Sequence, residues 1–243
     1  MTENITIDSI PVYVSRPEGE AVGGLVVIHE VWGLTEHIKN VADRFAKEGY
    51  LVYAPDLMSN TGIEAKVSAQ LQQDLFNPEK RNEAQPKMRE LMAPIQAPEF
   101  AINTLKSLKS VFDCLYSLPD VKQKVAVVGF CFGGTYSYNL AVAEPRLIAA
   151  VPYYGHADQS VDELRTIQAP IMAFFGEQDE ALVSRLPDLE NRMYQADVEF
   201  NYQVYSGCGH AFFNDSNPYA YNEAASKDSW EKTKKFLSEA ISR

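Results

Sequence analysis

Lys124-Val125-Ala126-Val127-Val128-Gly129-Phe130-Cys131-Phe132-Gly133-Gly134 is the stretch that decides the fold. Its first half is an apolar run without alternation, as expected of a strand covered on both faces. Residues 133–143 then read as a helix. A G-x-C-x-G motif between such a strand and such a helix fits a nucleophile elbow. The glycines permit a turn so tight that the central side chain is pushed out over the carboxyl edge of the sheet. The same turn opens a helix, whose exposed N–H groups and dipole favour negative charge, and thiolate is the reactive form of cysteine. A Gly-rich phosphate loop, or a tight turn with an incidental buried cysteine, would share the spacing. The flanking strand and helix favour the nucleophile.

Working outward, the same alternation of elements recurs. Ile5–Ile7 and Val12–Val14 suggest a short strand pair, and Gly24–Glu30 a buried strand. Ile38, Val41, Ala42, Phe45 and Ala46 have amphipathic helical spacing, with Thr35 placed to cap and Gly49 placed to terminate. Tyr50–Asp56 is the next strand, and strand–helix–strand implies a right-handed parallel unit. Residues 57–99 are Gln-, Lys- and Glu-rich without strand signal, and read as an edge excursion or a lid. Beyond them come a helix through Ile102–Leu115, strands at Leu147–Tyr154, Pro170–Phe175 and Glu199–Tyr205, an amphipathic segment Val183–Gln195 and a helix Asn222–Ile241. The pattern implies an α/β fold: a doubly wound, mostly parallel sheet flanked by helices, with an antiparallel N-terminal edge. The 243 residues suit a single domain spanning 1–243.

Composition narrows the function. The chain is 46% hydrophobic and 23% charged, with a net charge of −11, which disfavours a nucleic-acid partner or an anionic membrane surface. No apolar stretch approaches a membrane span and the N-terminus has no signal-peptide pattern, so a cytoplasmic protein is expected, monomeric or homodimeric. Three cysteines form no disulfide framework. No metal-ligand spacing appears, and neither a metal nor another cofactor is expected.

A cysteine nucleophile needs a base and a group to orient the base. Met172–Asp179 reads as a strand ending in a Gly turn that carries an acid, and Val204–His210 as a strand ending in a Gly-flanked histidine. Cys131, Asp179 and His210 thus follow the order nucleophile, acid, base, each past the carboxyl end of a strand. Alone, the acid would read as a helix cap and the histidine as structural. Glu177 competes for the acid's role, but Asp179 lies further past the turn. Cys114 reads as a packed small hydrophobe and Cys208 as structural, with oxidation the alternative. His37 and His156 read as surface or capping residues, and His29 and Glu30, adjacent on a strand, point to opposite faces.

The chain resembles the dienelactone hydrolase family over nearly its whole length. The resemblance rests on Ile28–Gly33, Gly49–Leu57, Gly129–Gly134, Tyr153-Tyr154-Gly155, Gly176–Asp179 and Gly209–Phe212. It implies an α/β-hydrolase fold and hydrolysis of a small lactone or activated ester through a thioester. Cys131 would be nucleophile, His210 base and then acid, and Asp179 its orienter. The backbone N–H groups of Val31 and Phe132 would form the oxyanion hole, and Glu30 would gate the thiol, with helix capping or a salt bridge its ordinary alternative. Asn214 stands where the family members that act on dienelactone carry a substrate-gripping arginine, and a second such arginine corresponds to Arg89 or Arg81. Trp32, Tyr153 and Phe212 are expected to line the substrate pocket, with Phe130, Phe132 and Phe213 nearby. Two other readings compete: a glutamine amidotransferase-like cysteine enzyme, and a non-catalytic binding scaffold. The first is disfavoured because position 212, two residues after the histidine, is Phe and not an acid.

Overall fold

A computed structural model describes residues 1–63 and 66–243. Glu64 and Ala65, inside the expected excursion, lie outside the described residues. The strands are β1 (Thr2–Ile7), β2 (Ile10–Ser15), β3 (Gly23–Ile28), β4 (Tyr50–Pro55), β5 (Val125–Phe130), β6 (Ala150–Tyr153), β7 (Ile171–Gly176) and β8 (Phe200–Tyr205). They form one sheet in the order β1-β2-β4-β3-β5-β6-β7-β8. Both pairings of β2 are antiparallel and the rest are parallel, which gives the expected antiparallel N-terminal edge. Asp8 and Ser9 join β1 to β2 with φ values of 46° and 69°, the left-handed pair that a two-residue hairpin turn requires.

The unalternating strands are explained by two cores, one on each face. Val26 and Ile28 of β3 pack into one core, with Leu108, Val111 and Phe112 of helix α4 (Pro98–Tyr116). Leu25 and Val27 enter the other, with Ile38, Val41 and Phe45 of α1 (Glu36–Lys47). The apolar stripe of α1 is buried as its spacing predicts, and Gly49 ends it at φ 99°. Thr35 occupies the N-cap position, but its hydroxyl makes no capping bond.

The excursion is helical: α2 (Ala69–Phe76) and α3 (Arg81–Met92) precede α4. The remaining helices are α5 (Phe132–Ala143), α6 (Val161–Leu164), α7 (Glu180–Val183), α8 (Leu186–Gln195) and α9 (Glu223–Ser242). From β3 the chain runs through α1 to β4 on one side, whereas β5 lies on the other. Strand order therefore reverses between β3 and β5, and the crevice outside their carboxyl ends is where such sheets bind ligands.

Candidate active site

Cys131 sits between β5 and α5 at φ 55° and ψ −110°, a left-handed conformation costly for a residue with a side chain. The neighbouring backbone holds it there. A Cβ on Gly129 would lie 2.0 Å from the Gly133 carbonyl oxygen, and one on Gly133 would lie 2.2 Å from that of Ile28. Gly133 N–H also donates to the His29 carbonyl at 3.0 Å. The start of α5 is thus seated on the end of β3, and this brings Glu30 and Val31 beside the cysteine.

His29 fixes that junction from the other face. Leu57 N–H donates to its Nε2 at 2.9 Å, so its proton resides on Nδ1, which donates to the Glu30 carbonyl at 2.6 Å. Burial pushes its pKa down and keeps the ring neutral. Its ring stacks on Phe132. Among the described residues, the Val31 and Phe132 N–H groups donate to no acceptor.

β7 and β8 bring Asp179 and His210 to the same edge. Asp179 occupies the N-cap position of α7, but its side chain makes no capping bond. Its Oδ2 instead lies 2.5 Å from His210 Nδ1. Glu177 accepts from Gly207 N–H and the Ser206 hydroxyl, which hold its pKa low and brace the turn leading to His210. Asp179, not Glu177, therefore orients the imidazole. The Cys131 sulfur lies close enough to the same ring for its charge and a side-chain hydrogen bond to act on it. Burial favours neutral imidazole; the Cys131 charge and the Asp179 bond outweigh it, and the His210 pKa is raised well above its ordinary value. The ring is enclosed by protein yet opens onto a cavity, and 41% of the side chain stays accessible.

That cavity has a volume of about 590 Å³, and Glu30, Val31, Trp32, Cys131 and His210 line it. Arg81, Met88 and Arg89 of α3 line it as well, so both arginine candidates reach the site. Glu30 is buried. Its carboxylate accepts from Asn214 Nδ2 and, at 3.3 Å, from the Tyr154 hydroxyl. Burial raises its pKa, against the opposing charges of His37 and His210 and these two hydrogen bonds. Asn214 is itself buried, so position 214 serves Glu30 and not the cavity surface.

Two expected substrate contacts are corrected. Tyr153 is fully buried and points its hydroxyl at Thr233 Oγ1 (2.7 Å) and the Ser229 carbonyl on α9, away from the cavity. Phe212 is buried among the rings of Tyr153, Tyr154 and Tyr205. Phe130 and Phe213 belong to the same aromatic core, and Phe132 packs on His29 and Tyr136. Of the expected aromatics, Trp32 alone lines the cavity. His37 is not a surface residue either: it is buried and bonded through Nδ1 to Asp215 at 2.7 Å. Sequence reading missed Tyr154 as a partner of Glu30. Its position just past the end of β6, over the carboxyl edge, was the available signal.

A family model described as the dienelactone hydrolase family matches residues 10–241. The chain belongs to the dienelactone hydrolase family. It is 30% identical over 98% of its length to "Putative carboxymethylenebutenolidase" of Saccharolobus solfataricus, covering 98% of that protein. It is 32% identical to Protein usf of Aquifex pyrophilus, over 94% of this chain and 93% of that one. The structure of the dienelactone hydrolase-like promiscuous phosphotriesterase P91 from metagenomic libraries superposes with a TM-score of 0.80 at 21% identity, over 99% of this chain and 98% of that one, and shares the fold. This member of the dienelactone hydrolase family is thus an α/β-hydrolase and an ester or lactone hydrolase. Among the described residues no helix is long and apolar enough to cross a membrane.

Proposed function

We propose that this protein hydrolyses small carboxylic esters or lactones by covalent catalysis through Cys131, His210 and Asp179. The observation that carries the reading is the meeting of Cys131 and His210, from two strand ends, at one cavity wall, with His210 Nδ1 held from behind by Asp179 at the end of a third strand.

The thiolate of Cys131 attacks the carbonyl carbon, forming the C–S bond as the carbonyl electrons move to oxygen. The Val31 and Phe132 N–H groups, free of other acceptors, stabilise that oxyanion. Collapse breaks the C–O bond, and the departing alkoxide takes a proton from His210 Nε2; in a lactone it stays tethered to the acyl group. Water then attacks the thioester while His210 takes its proton, the thiolate leaves and the acid is released. Asp179 keeps the imidazole in the tautomer that presents Nε2. With Asn214 committed to Glu30, Arg81 and Arg89 remain to meet an acidic substrate arm, and Trp32 to meet an apolar one.

Hydrolysis of p-nitrophenyl acetate tests the reading. Cys131→Ala and His210→Ala are each expected to lower kcat/KM by at least ~10³-fold. Mass spectrometry of the quenched wild type should find an acyl group on Cys131. Wild-type rates in Cys131→Ala would reject the nucleophile.

A further inference from the structure

The cavity lined by Cys131 and His210 has a volume of about 590 Å³. Pockets of about 300–1,000 Å³ enclose most of a drug-sized ligand, so a minimal ester would leave much of this one empty. Two tyrosines mark what else it can hold. Tyr219 is 58% exposed and Tyr221 38%, and both line the cavity. Tyr153, Tyr154 and Tyr205 commit their hydroxyls to Thr233, Glu30 and Asp228, whereas those of Tyr219 and Tyr221 bond to nothing among the described residues.

The backbone that carries them is held at both ends. Tyr219 N–H donates to Asn217 Oδ1 at 3.2 Å, and the N–H groups of Ala220 and Tyr221 donate to the Asn217 carbonyl at 3.1 and 2.9 Å. Asn217 is itself buried, and the proline between it and Tyr219 fixes one more torsion. At the far end Asn222 N–H donates to the Phe212 carbonyl at 2.9 Å, and the Asn222 side chain caps α9. Tyrosines on such a backbone offer a large contact area and have only two side-chain torsions left to order. Elsewhere on the lining, Trp32 and Phe76 stand nearly perpendicular, with 5.5 Å between ring centroids, and Met88 of α3 adds a polarisable thioether. Aromatic rings therefore meet this cavity from the loop before α9, from the end of α2 and from the loop after β3.

We propose that Tyr219 and Tyr221 are specificity-determining residues, and that the substrate class of this site is an ester or lactone carrying an aromatic ring apart from the reacting carbonyl. The ring packs on the two tyrosines, with Trp32 and Phe76 completing an apolar lining, while Arg81 and Arg89 remain for an acidic group. Ring-on-ring contact, not the phenolic hydroxyls, supplies the preference. The inference deepens the hydrolase reading above and rests on it for the bond that is cleaved.

The test is steady-state hydrolysis of three activated esters by the full chain. Trifluoroethyl acetate has no ring, trifluoroethyl hydrocinnamate has one on the acyl side, and p-nitrophenyl acetate has one on the alcohol side. Wild type should show a lower KM for a ring-bearing ester than for trifluoroethyl acetate. Tyr219→Ala combined with Tyr221→Ala should raise KM for that ester about tenfold more than for trifluoroethyl acetate, with the larger change in KM and not in kcat. Tyr219→Phe combined with Tyr221→Phe keeps both rings and should restore most of the loss. A wild type without ring preference, or an equal change on all three esters in the alanine variant, overturns the proposal. So does a phenylalanine variant as impaired as the alanine one, which would assign the effect to the hydroxyls. A dimer that the alanine variant splits, with the three esters affected alike, would assign the rings to a protein contact instead. Wild-type rates in Cys131→Ala would reject the nucleophile while leaving the ring preference in place, so the two failures are separable.

Discussion

The floor and the opposite wall of the cavity are held by different kinds of contact. On the floor, main chain touches main chain: α5 starts against the last residues of β3, and seven of its twelve residues are buried. The wall formed by α3 has only Ala84 and Met92 buried among its twelve residues, and Pro86 lies inside the helix. A floor built of backbone leaves no room for substitution without moving Cys131. A wall built of exposed side chains can change what the cavity accepts while leaving Cys131 in place.

The most severe way to break this contrast is to add one methyl group to the floor. Gly133→Ala places a Cβ within 2.2 Å of one backbone oxygen and 2.8 Å of another, neither of which is a flexible side-chain end. We expect a loss of more than about 3 kcal/mol in stability, the range reached when strain has no local relief. Urea denaturation of soluble protein, or its failure to accumulate, reports it. Near wild-type stability would mean that the β3–α5 seam is looser than its contacts imply.

A gentler change to the wall sharpens the same distinction. Arg81 and Arg89 line the cavity, and apart from a long contact from Arg89 to Gln85 they have no partners among the described residues. Replacing both with alanine should raise KM about tenfold for esters bearing a carboxylate, the loss expected for one charge-assisted hydrogen bond. Turnover of p-nitrophenyl acetate should not move. An equal loss on the neutral ester would show that α3 supports the floor after all.

The same contrast explains what was legible in the sequence. Gly129, Gly133 and Cys131 could be read because backbone contact permits few residue types, and the order Cys131, Asp179, His210 along one sheet edge follows from strands that share a direction. Tyr153 and Phe212 were misplaced because an aromatic beside a motif does not declare which side of the strand it occupies. Tyr153 turns to α9, and its neighbour Tyr154 turns to Glu30. The burial of His37 had no local signal, since its partner Asp215 lies 178 residues away. The ionisable wall of α3 was visible only as a helix-tolerant run, because exposed polar residues carry little record of what they face.

The smallest expected effect concerns stability rather than rate, and sits on the floor. Burial raises the pKa of Glu30 above its ordinary value, and the hydrogen bonds and histidine charges around it only partly offset this. Between its unfolded and folded values, such a carboxyl binds more protons folded than unfolded. Stability therefore falls as pH rises through that interval; the cost is absent below it and complete above it. Gln at position 30 keeps an acceptor for Asn214 and removes the buried charge. Glu30→Gln should then unfold about 2–4 °C higher than wild type on the alkaline side, the response to ~1 kcal/mol in a chain of this size. The difference should shrink as pH is lowered toward the ordinary carboxyl range. Differential scanning calorimetry at a series of pH values would read it. A lower Tm at every pH would mean that Glu30 stabilises the fold as an anion, so that the floor carries no stored electrostatic cost beside Cys131.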